Sequence, residues 1–580
     1  MRKLCLCLLL LWGLVDTGHS RNVFQMSIQE TEITKESVVY QEDTVQTDDV
    51  AFAFAKHFQN NMVLQMAPAR ANIYGFSPDI GQKVIAQMNT PSKPYYYETM
   101  VKESAQKGVG VWMITLDPID ANVTVSVRVM SERGTLNLAN VIFGDVWLCS
   151  GQSNMQFSVP QMFNSQQEIA DAHKYPNIRL MTVSMRQSPT PLDDLIAIEE
   201  AWTSPSNNTV GHSAWTYFSA VCWLYGKHIH TTMGIPVGLV ASDWGGTPVE
   251  AWSSPDSLKK CGVTESADST EGGVESNLYT SENLPNPGED DLRVGGPELN
   301  SVLWNAMIHP LLGMTLRGAI WYQGENDATT STKMNRYNCT FPGMIADWRE
   351  KFSQVSQQTN PQFPFGFVQL AGYRPAPLIT VGFPDIRWHQ TADVGYVPNP
   401  KMPNVFMAVA MDLPDFNSTY GAIHPRDKTD VGLRLALGGL ALAYEQSTFY
   451  QGPFPVKGAP SSAGYELDYG STWILDVRDK DGFEFFCEPS TKDGSAGHWV
   501  PTVITASNAT SVVLYPAVCG SGEVAVGLRY AWRETPCNFK QCPIYSSLNE
   551  LPAAPFVFLA ESGKKDVRFT GPFGEGRLQF

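Results

Sequence analysis

The chain has 580 residues, 43% of them hydrophobic, 17% charged and 11% aromatic, a balance that belongs to packed globular protein rather than to a disordered or fibrous one. The length calls for two to four domains. A formal net charge of −17 argues against nucleic acid or an anionic membrane surface as partner.

The first twenty residues read as a targeting segment. Arg2 and Lys3 precede an apolar run from Leu4 to Val15, and Gly18, His19 and Ser20 follow, so a signal peptide over 1–20 is expected. That run is about a dozen residues, short of the roughly 20 a membrane-spanning helix needs. No later segment is long and apolar enough to span, so no membrane anchor is expected. The chain is read as entering the secretory pathway, to be lysosomal or secreted.

Outside that segment lie Cys149, Cys222, Cys261, Cys339, Cys487, Cys519, Cys537 and Cys542. The secretory route permits disulfides. Cys537 and Cys542 are near neighbours and are expected to pair, whereas Cys149, in an apolar run, is read as a buried free thiol. No Cys/His spacing matches a zinc site, and neither a metal nor any other cofactor is expected. Five sequons, at Asn122, Asn207, Asn338, Asn417 and Asn508, are expected glycosylation sites.

Residues 21–140 form an expected N-terminal β domain. Short apolar or alternating runs at Met62–Met66, Val84–Met88, Val111–Leu116 and Val123–Val129 are separated by Gly, Pro and Asn, the pattern of an antiparallel sandwich. The texture changes near Val141. Over 141–450 continuous apolar runs alternate with helical periodicity, which predicts an α/β domain around a buried parallel sheet flanked by helices. Its strands are expected at Val141–Cys149, Val237–Asp243, Gly318–Gln323, Phe365–Leu370 and Val405–Asp412. Helices are expected from an N-cap at Ser213 to Met233, over Met344–Phe352, and from Pro425 through Leu442. Between 259 and 300 the pattern collapses into an acidic insertion, read as exposed and open to proteolysis. Strand-and-turn texture returns over 451–580, predicting a C-terminal β domain.

In open parallel sheets ligands bind beyond the carboxyl ends of the strands, so the residues just past each strand carry the functional reading. The first strand runs into Ser150-Gly151-Gln152-Ser153-Asn154, where Ser153 can be exposed as a nucleophile with its own N–H aimed at the same substrate oxygen. The second runs into Gly245-Gly246, whose backbone can approach a ligand closely. The third ends at Gln323, able to aim an amide at a developing oxyanion, with Glu325 and Asp327 nearby. The strand ending at Asp412 is followed by a loop to Ile423-His424-Pro425, where His424 is placed to act as base. The rival His309 precedes its strand, and His389 looks like part of a helix. Taken singly, these motifs could be ordinary turns. Four at successive strand ends, in the order Ser, Gly-Gly, Gln, His, are harder to explain that way.

That order resembles the SGNH hydrolase superfamily and, within it, the sialate O-acetylesterase branch. The resemblance is carried by GQSNM (151–155), SDWGGTPVEAW (242–252), WNAMIHPL (304–311), IWYQGEND (320–327), IHPRDK (423–428) and the N-terminal NNMVLQ (60–65). It implies Ser153 as nucleophile, His424 as general base, and an oxyanion hole made by the Ser153 N–H, the Gly246 N–H and Gln323. The implied substrate is an O-acetylated sialic acid or sialoglycoconjugate, 9-O-acetyl preferred. Two departures from the superfamily pattern stand out. Gln323 occupies the place of an Asn, and Gly421 stands where an Asp-x-x-His motif would put its acid. Asp412 and Asp415 are the candidate acids, Asp412 ranked first because it ends a strand, with Glu325 a possible support. An esterase for other acetylated polysaccharides, or a catalytically silent sugar-binding protein, are the rival readings; all four motifs being present weakens the second.

Overall fold

The computed structural model describes residues 51–580 apart from 105–107, 264–295, 377, 491–495, 517–518, 562–563 and 573. The expected signal peptide and most of the acidic insertion lie outside the described residues.

Burial separates two kinds of strand. In the N-terminal region Lys83–Asn89 and Thr124–Ser131 alternate between exposed and buried residues, and they pair antiparallel with one another. Each therefore has one face in a core and one in water. In the central region Val237–Asp243, Gly318–Tyr322 and Phe365–Gln369 are buried at every position, so both faces are covered. One long strand, Gly134–Gly151, joins the two regions. Its first half pairs antiparallel with Thr124–Ser131 and its second half parallel with Val237–Asp243 and Gly318–Tyr322. The change of texture expected at 140/141 thus falls inside a strand and not in a linker.

The central sheet runs Ile198–Thr203, Ile178–Val183, Val237–Asp243, Gly134–Gly151, Gly318–Tyr322, Phe365–Gln369, Val405–Val409. All neighbours are parallel except the edge pair of Ile178–Val183 with Ile198–Thr203. Ile178–Val183 and Ile198–Thr203 escaped the sequence reading. The chain leaves Gly134–Gly151 toward one side of the sheet, returns through Val237–Asp243, and then builds the other side from Gly318 onward. The carboxyl end of Gly134–Gly151 is therefore the topological switch point, where such sheets bind ligands.

Three expected helices shift. The helix placed from Ser213 starts at Ala220, capped by Ser219, whose hydroxyl accepts from the Cys222 N–H. It cannot start earlier because Trp215 and Tyr217 are both in the left-handed region, with φ of 62° and 61°. The helix placed from Pro425 starts at Lys428, capped by Asp427, which accepts from the Asp430 N–H. The Met344–Phe352 segment is the middle of a 26-residue helix, Ser331–Ser356. Beneath the sheet, the indoles of Trp252, Trp321 and Trp348 meet edge to face at 6.0 and 5.8 Å, each burial contributing on the order of 2–3 kcal/mol.

Cys149 is not a free thiol. It is bonded to Cys222 on the Ala220–Met233 helix, whose packing brings the two Cα atoms to 5.8 Å. Closing a loop of 73 residues stabilises by about 4 kcal/mol in the chain-entropy account. Cys261 pairs with Cys339, Cys487 with Cys519, and Cys537 with Cys542, the last as expected.

The C-terminal region contains a six-stranded and a four-stranded sheet, beginning at Lys457. It is keyed to the strand-end loops of the central sheet by buried polar contacts. The fully buried Arg387 donates to the carbonyls of Leu370 and Ala371 on one side and of Arg533 and Glu534 on the other. Among the described residues no helix is long and apolar enough to cross a membrane.

Candidate active site

The turn after the central strand is dictated by glycine. Gly151 has φ of 142°, and a Cβ there would lie 2.2 Å from the Tyr322 carbonyl oxygen, so only Gly fits. The Gln152 N–H donates to that same carbonyl at 3.0 Å. The Gln152 side-chain oxygen accepts from the Gly324 and Asn326 N–H groups, at 3.3 and 3.4 Å, tying the neighbouring strand end to this turn. Ser153 then opens the short helix Ser153–Gln156. Its N–H is among those a helix start leaves without an intrahelical partner.

Ser153 and His424, 271 residues apart in sequence, meet with Oγ 2.8 Å from Nε2, and both are buried. His424 Nδ1 lies 2.6 Å from the Tyr420 carbonyl oxygen. A carbonyl can only accept, so Nδ1 carries the proton and Nε2 is left to accept from the Ser153 hydroxyl. Burial pulls the imidazole down to about 4, against the Tyr420 hydrogen bond and with the Lys428 charge adding to the fall. His424 is therefore neutral well below the pH at which an ordinary histidine charges.

Neither candidate acid reaches His424. Asp412 is fully buried and forms a two-pronged pair with Arg434, at 2.6 and 3.0 Å, while Tyr545 Oη donates to it at 2.9 Å. Asp415 pairs with Arg426 at 2.7 and 3.0 Å. The expectation that Asp412 completes a triad is corrected: its carboxylate is consumed in joining the helix Lys428–Ala443 to the C-terminal region. The orienting group is the Tyr420 backbone carbonyl, which no side-chain signal could reveal.

The two expected oxyanion donors are placed differently. Gly246 is half-buried in the left-handed region with φ of 70°. Its loop is held by the Gly245 N–H donating to Gln156 Oε1 at 2.8 Å and by Asn326 Nδ2 donating to the Gly246 carbonyl at 2.9 Å. Gln323 is fully buried. Its NH₂ donates to the Thr247 carbonyl at 3.2 Å and to the Asp327 carboxyl, and its oxygen accepts from Tyr337 Oη at 2.8 Å. With both amide hydrogens engaged, Gln323 has none left for an oxyanion in this arrangement. It braces the Gly-Gly loop from behind. Burial, then Glu250, holds the Asp327 carboxyl well above the usual carboxylate range.

Three residues without an expected role join the site. Asn154 Nδ2 donates to Glu325 Oε1 at 2.6 Å and to the Ile423 carbonyl at 2.9 Å, and Lys428 Nζ donates to Asn154 Oδ1 at 2.6 Å. Glu325 is thus brought in, one shell behind the Ser–His pair. The Trp215 ring meets the His424 ring at 5.0 Å and 73°. The Trp215 backbone N–H donates to Ser158 Oγ and Gln161 Oε1, both at 3.0 Å, which supports the left-handed backbone there. Asn154 and Lys428 lie inside the motifs noted in the sequence; Trp215 has no sequence signal beyond being aromatic.

Of the sequons, Asn122, Asn207, Asn417 and Asn508 are exposed, whereas Asn338 is half-buried in a helix with its amide donating to Asp393 at 2.7 Å.

Two family models match the chain: carbohydrate esterase, sialic acid-specific acetylesterase over residues 298–437, and the sialate O-acetylesterase C-terminal domain over residues 456–560. The first covers Gln323, Glu325, Asp412 and His424. The sialate O-acetylesterases of Mus musculus and Homo sapiens are each 43% identical to this chain, over 88% and 89% of it and 94% of their own length. The chain belongs to the sialate O-acetylesterase family. A crystal structure of a carbohydrate acetylesterase from Xanthomonas citri shares the fold, with a TM-score of 0.67 at 24% identity over 87% of this chain and 99% of that one.

Proposed function

We propose that this chain is a carboxylic ester hydrolase that removes O-acetyl groups from sialic acids, the 9-O-acetyl group preferred, through an acyl-enzyme on Ser153. The observation that carries the reading is the buried Ser153–His424 contact of 2.8 Å at the switch point of the parallel sheet. The family relationship supports the substrate class.

In the first half-reaction Ser153 Oγ attacks the acetyl carbonyl carbon while His424 Nε2 takes the hydroxyl proton. The developing oxyanion is met by the Ser153 and Gly246 N–H groups. The C–O bond to the sugar breaks, and the departing sugar oxygen takes the proton from His424. Water then attacks the acetyl-serine with His424 again as base, releasing acetate and restoring Ser153. In this reading the enzyme is an SGNH-type hydrolase working as a Ser–His dyad, with the Tyr420 carbonyl, 2.6 Å from His424 Nδ1, taking the place of an acid. The four disulfides fit the secretory route, to a lysosomal or secreted destination, with the exposed sequons as glycan sites.

The test is a fluorophosphonate probe followed by peptide mapping, with hydrolysis of 9-O-acetylated sialic acid and of acetylated xylan measured in parallel. Labelling should fall on Ser153, and Ser153→Ala should abolish labelling and turnover together. Label on another serine overturns the nucleophile. Preference for the xylan overturns the substrate.

A further inference from the structure

Lys428 is a cation where a fold has least use for one. Its side chain is fully buried. It is also the first residue of the helix Lys428–Ala443, the end at which the macrodipole is positive and cations are disfavoured. Among the described residues no carboxylate pairs with it directly. Its ammonium donates to Asn154 Oδ1 at 2.6 Å and lies over the rings of Phe157 and Tyr322, at 4.6 and 5.1 Å. The charges that face it are Glu325, reached through Asn154, with Asp427 and Asp415 beyond, and those two are already paired with Lys540 and Arg426. A buried ammonium with no counter-charge beside it is costly to the fold, and an apolar side chain would serve packing better.

We propose that Lys428, Asn154 and Glu325 form a positioning relay that locks the base loop to the nucleophile turn. The inference rests on the reading of Ser153 as nucleophile and His424 as base.

The relay follows from hydrogen-bond polarity. Asn154 is the residue after Ser153, and its amide faces three groups at once: an ammonium, a carboxyl group and the Ile423 carbonyl. Lys428 can only donate, so Asn154 must turn its oxygen to it. That sends both amide hydrogens the other way, to Glu325 and to the carbonyl of the residue before His424. A flipped amide would oppose NH₂ to ammonium and oxygen to two acceptors. The buried charge therefore sets the one orientation that ties the two halves of the dyad together.

The same ammonium disfavours a second positive charge on His424. Burial brings Lys428 down to about 7, so below that it stays charged, while burial brings Glu325 up to about 7, so in acid it becomes neutral. The repulsion of an imidazolium by Lys428 thus adds, as the pH falls, to burial, the larger cause of the lowered His424 value.

The experiment compares Lys428→Met, which removes charge and donor, with Lys428→Gln, which removes the charge but keeps an NH₂ for Asn154. Wild type and Ser153→Ala are assayed alongside on a chromogenic acetyl ester, with kcat and KM resolved and kcat/KM followed from pH 3 to 8. A misplaced base costs on the order of 10²-fold, so Lys428→Met should lose that much kcat with little change in KM. Lys428→Gln should recover most of the lost kcat. In both variants the acidic limb of kcat/KM should move to higher pH. A folded Lys428→Met with wild-type kcat overturns the positioning role. A Lys428→Gln profile that superimposes on wild type overturns the charge effect, and this variant decides that point even if Lys428→Met does not fold. Activity surviving in Ser153→Ala overturns the dyad reading itself, whatever the Lys428 variants do.

Discussion

His424 is oriented by a backbone carbonyl, that of Tyr420, 2.6 Å from its Nδ1. In the proposed reaction the imidazolium formed when Ser153 gives up its proton would thus be met by a neutral dipole rather than a carboxylate, while Asp412 and Asp415 are paired with Arg434 and Arg426.

The first consequence concerns Asp412. Breaking one side of a buried ion pair destabilises by about 3–5 kcal/mol, so Asp412→Asn should lower the melting temperature clearly, by loosening Arg434 and Tyr545. The kcat of the folded fraction should stay within about tenfold of wild type, against the ~10⁴ lost when the acid of a serine triad is neutralised. Asp415→Asn should show a smaller thermal effect and near-normal turnover. Thermal melts read beside kcat separate the two roles, and a ~10⁴ loss in a fully folded Asp412→Asn would restore the triad.

The pH–rate profile should sit lower than an ordinary histidine would put it. Burial brings His424 from 6.5 down to about 4, and kcat/KM follows the ionisation of the free enzyme's base. Activity should hold from pH 7 to 5 and fall below about pH 4. Stability moves with it. Between 6.5 and these lowered values the unfolded chain binds protons that folded His424 and His57, the latter brought by burial to about 3, refuse. The folded state therefore loses stability as pH falls through that window. An acidic limb centred near 6.5 would mean that the base is solvated in the working enzyme.

Gln323→Ala distinguishes a brace from an oxyanion donor. Loss of a pure donor would lower kcat by about 10²–10³ and leave the fold untouched. Because Gln323 satisfies Thr247, Asp327 and Tyr337 in the interior, its removal should also destabilise by about 1–3 kcal/mol for each buried group left unpaired. Denaturant midpoints measured with kcat give the answer. An unchanged midpoint with a large kcat loss would return Gln323 to the oxyanion hole.

Glu200 offers a test of burial away from the chemistry. It is 6% exposed, neither carboxylate oxygen has a hydrogen-bond partner among the described residues, and burial, with Glu199 adding, raises it from 4.5 to about 8. An acid raised in the fold contributes most below its unfolded value and loses that contribution as pH rises through the folded one. Glu200→Gln should accordingly be more stable than wild type at pH 8, on the order of 1–3 kcal/mol, and no more stable at pH 4.5. Equal urea midpoints at pH 8 would contradict the buried, unpartnered placement.

Read alone, the sequence pointed to the layered plan and to Ser153 and His424, the pair on which the proposed reaction rests. Runs such as Val237–Asp243 and Phe365–Gln369 are buried at every position because both faces are covered, and the mostly apolar pattern that results is local. Ser153 was legible because it follows its strand directly, and His424 because it lies in the loop beyond another strand, and strand ends are where such sheets do their chemistry. Only the tertiary structure decided who partners whom. The Tyr420 carbonyl has no residue identity to read, since every residue carries a backbone carbonyl. Asp412 is claimed by Arg434 and Tyr545, 22 and 133 residues away, and Cys149 by Cys222, 73 residues on, through packing of helices and the C-terminal region. Lys428 and Asn154 are separated by 274 residues, and neither stands out in its own segment. A hydrogen bond is a property of two groups in space, and sequence displays one group at a time.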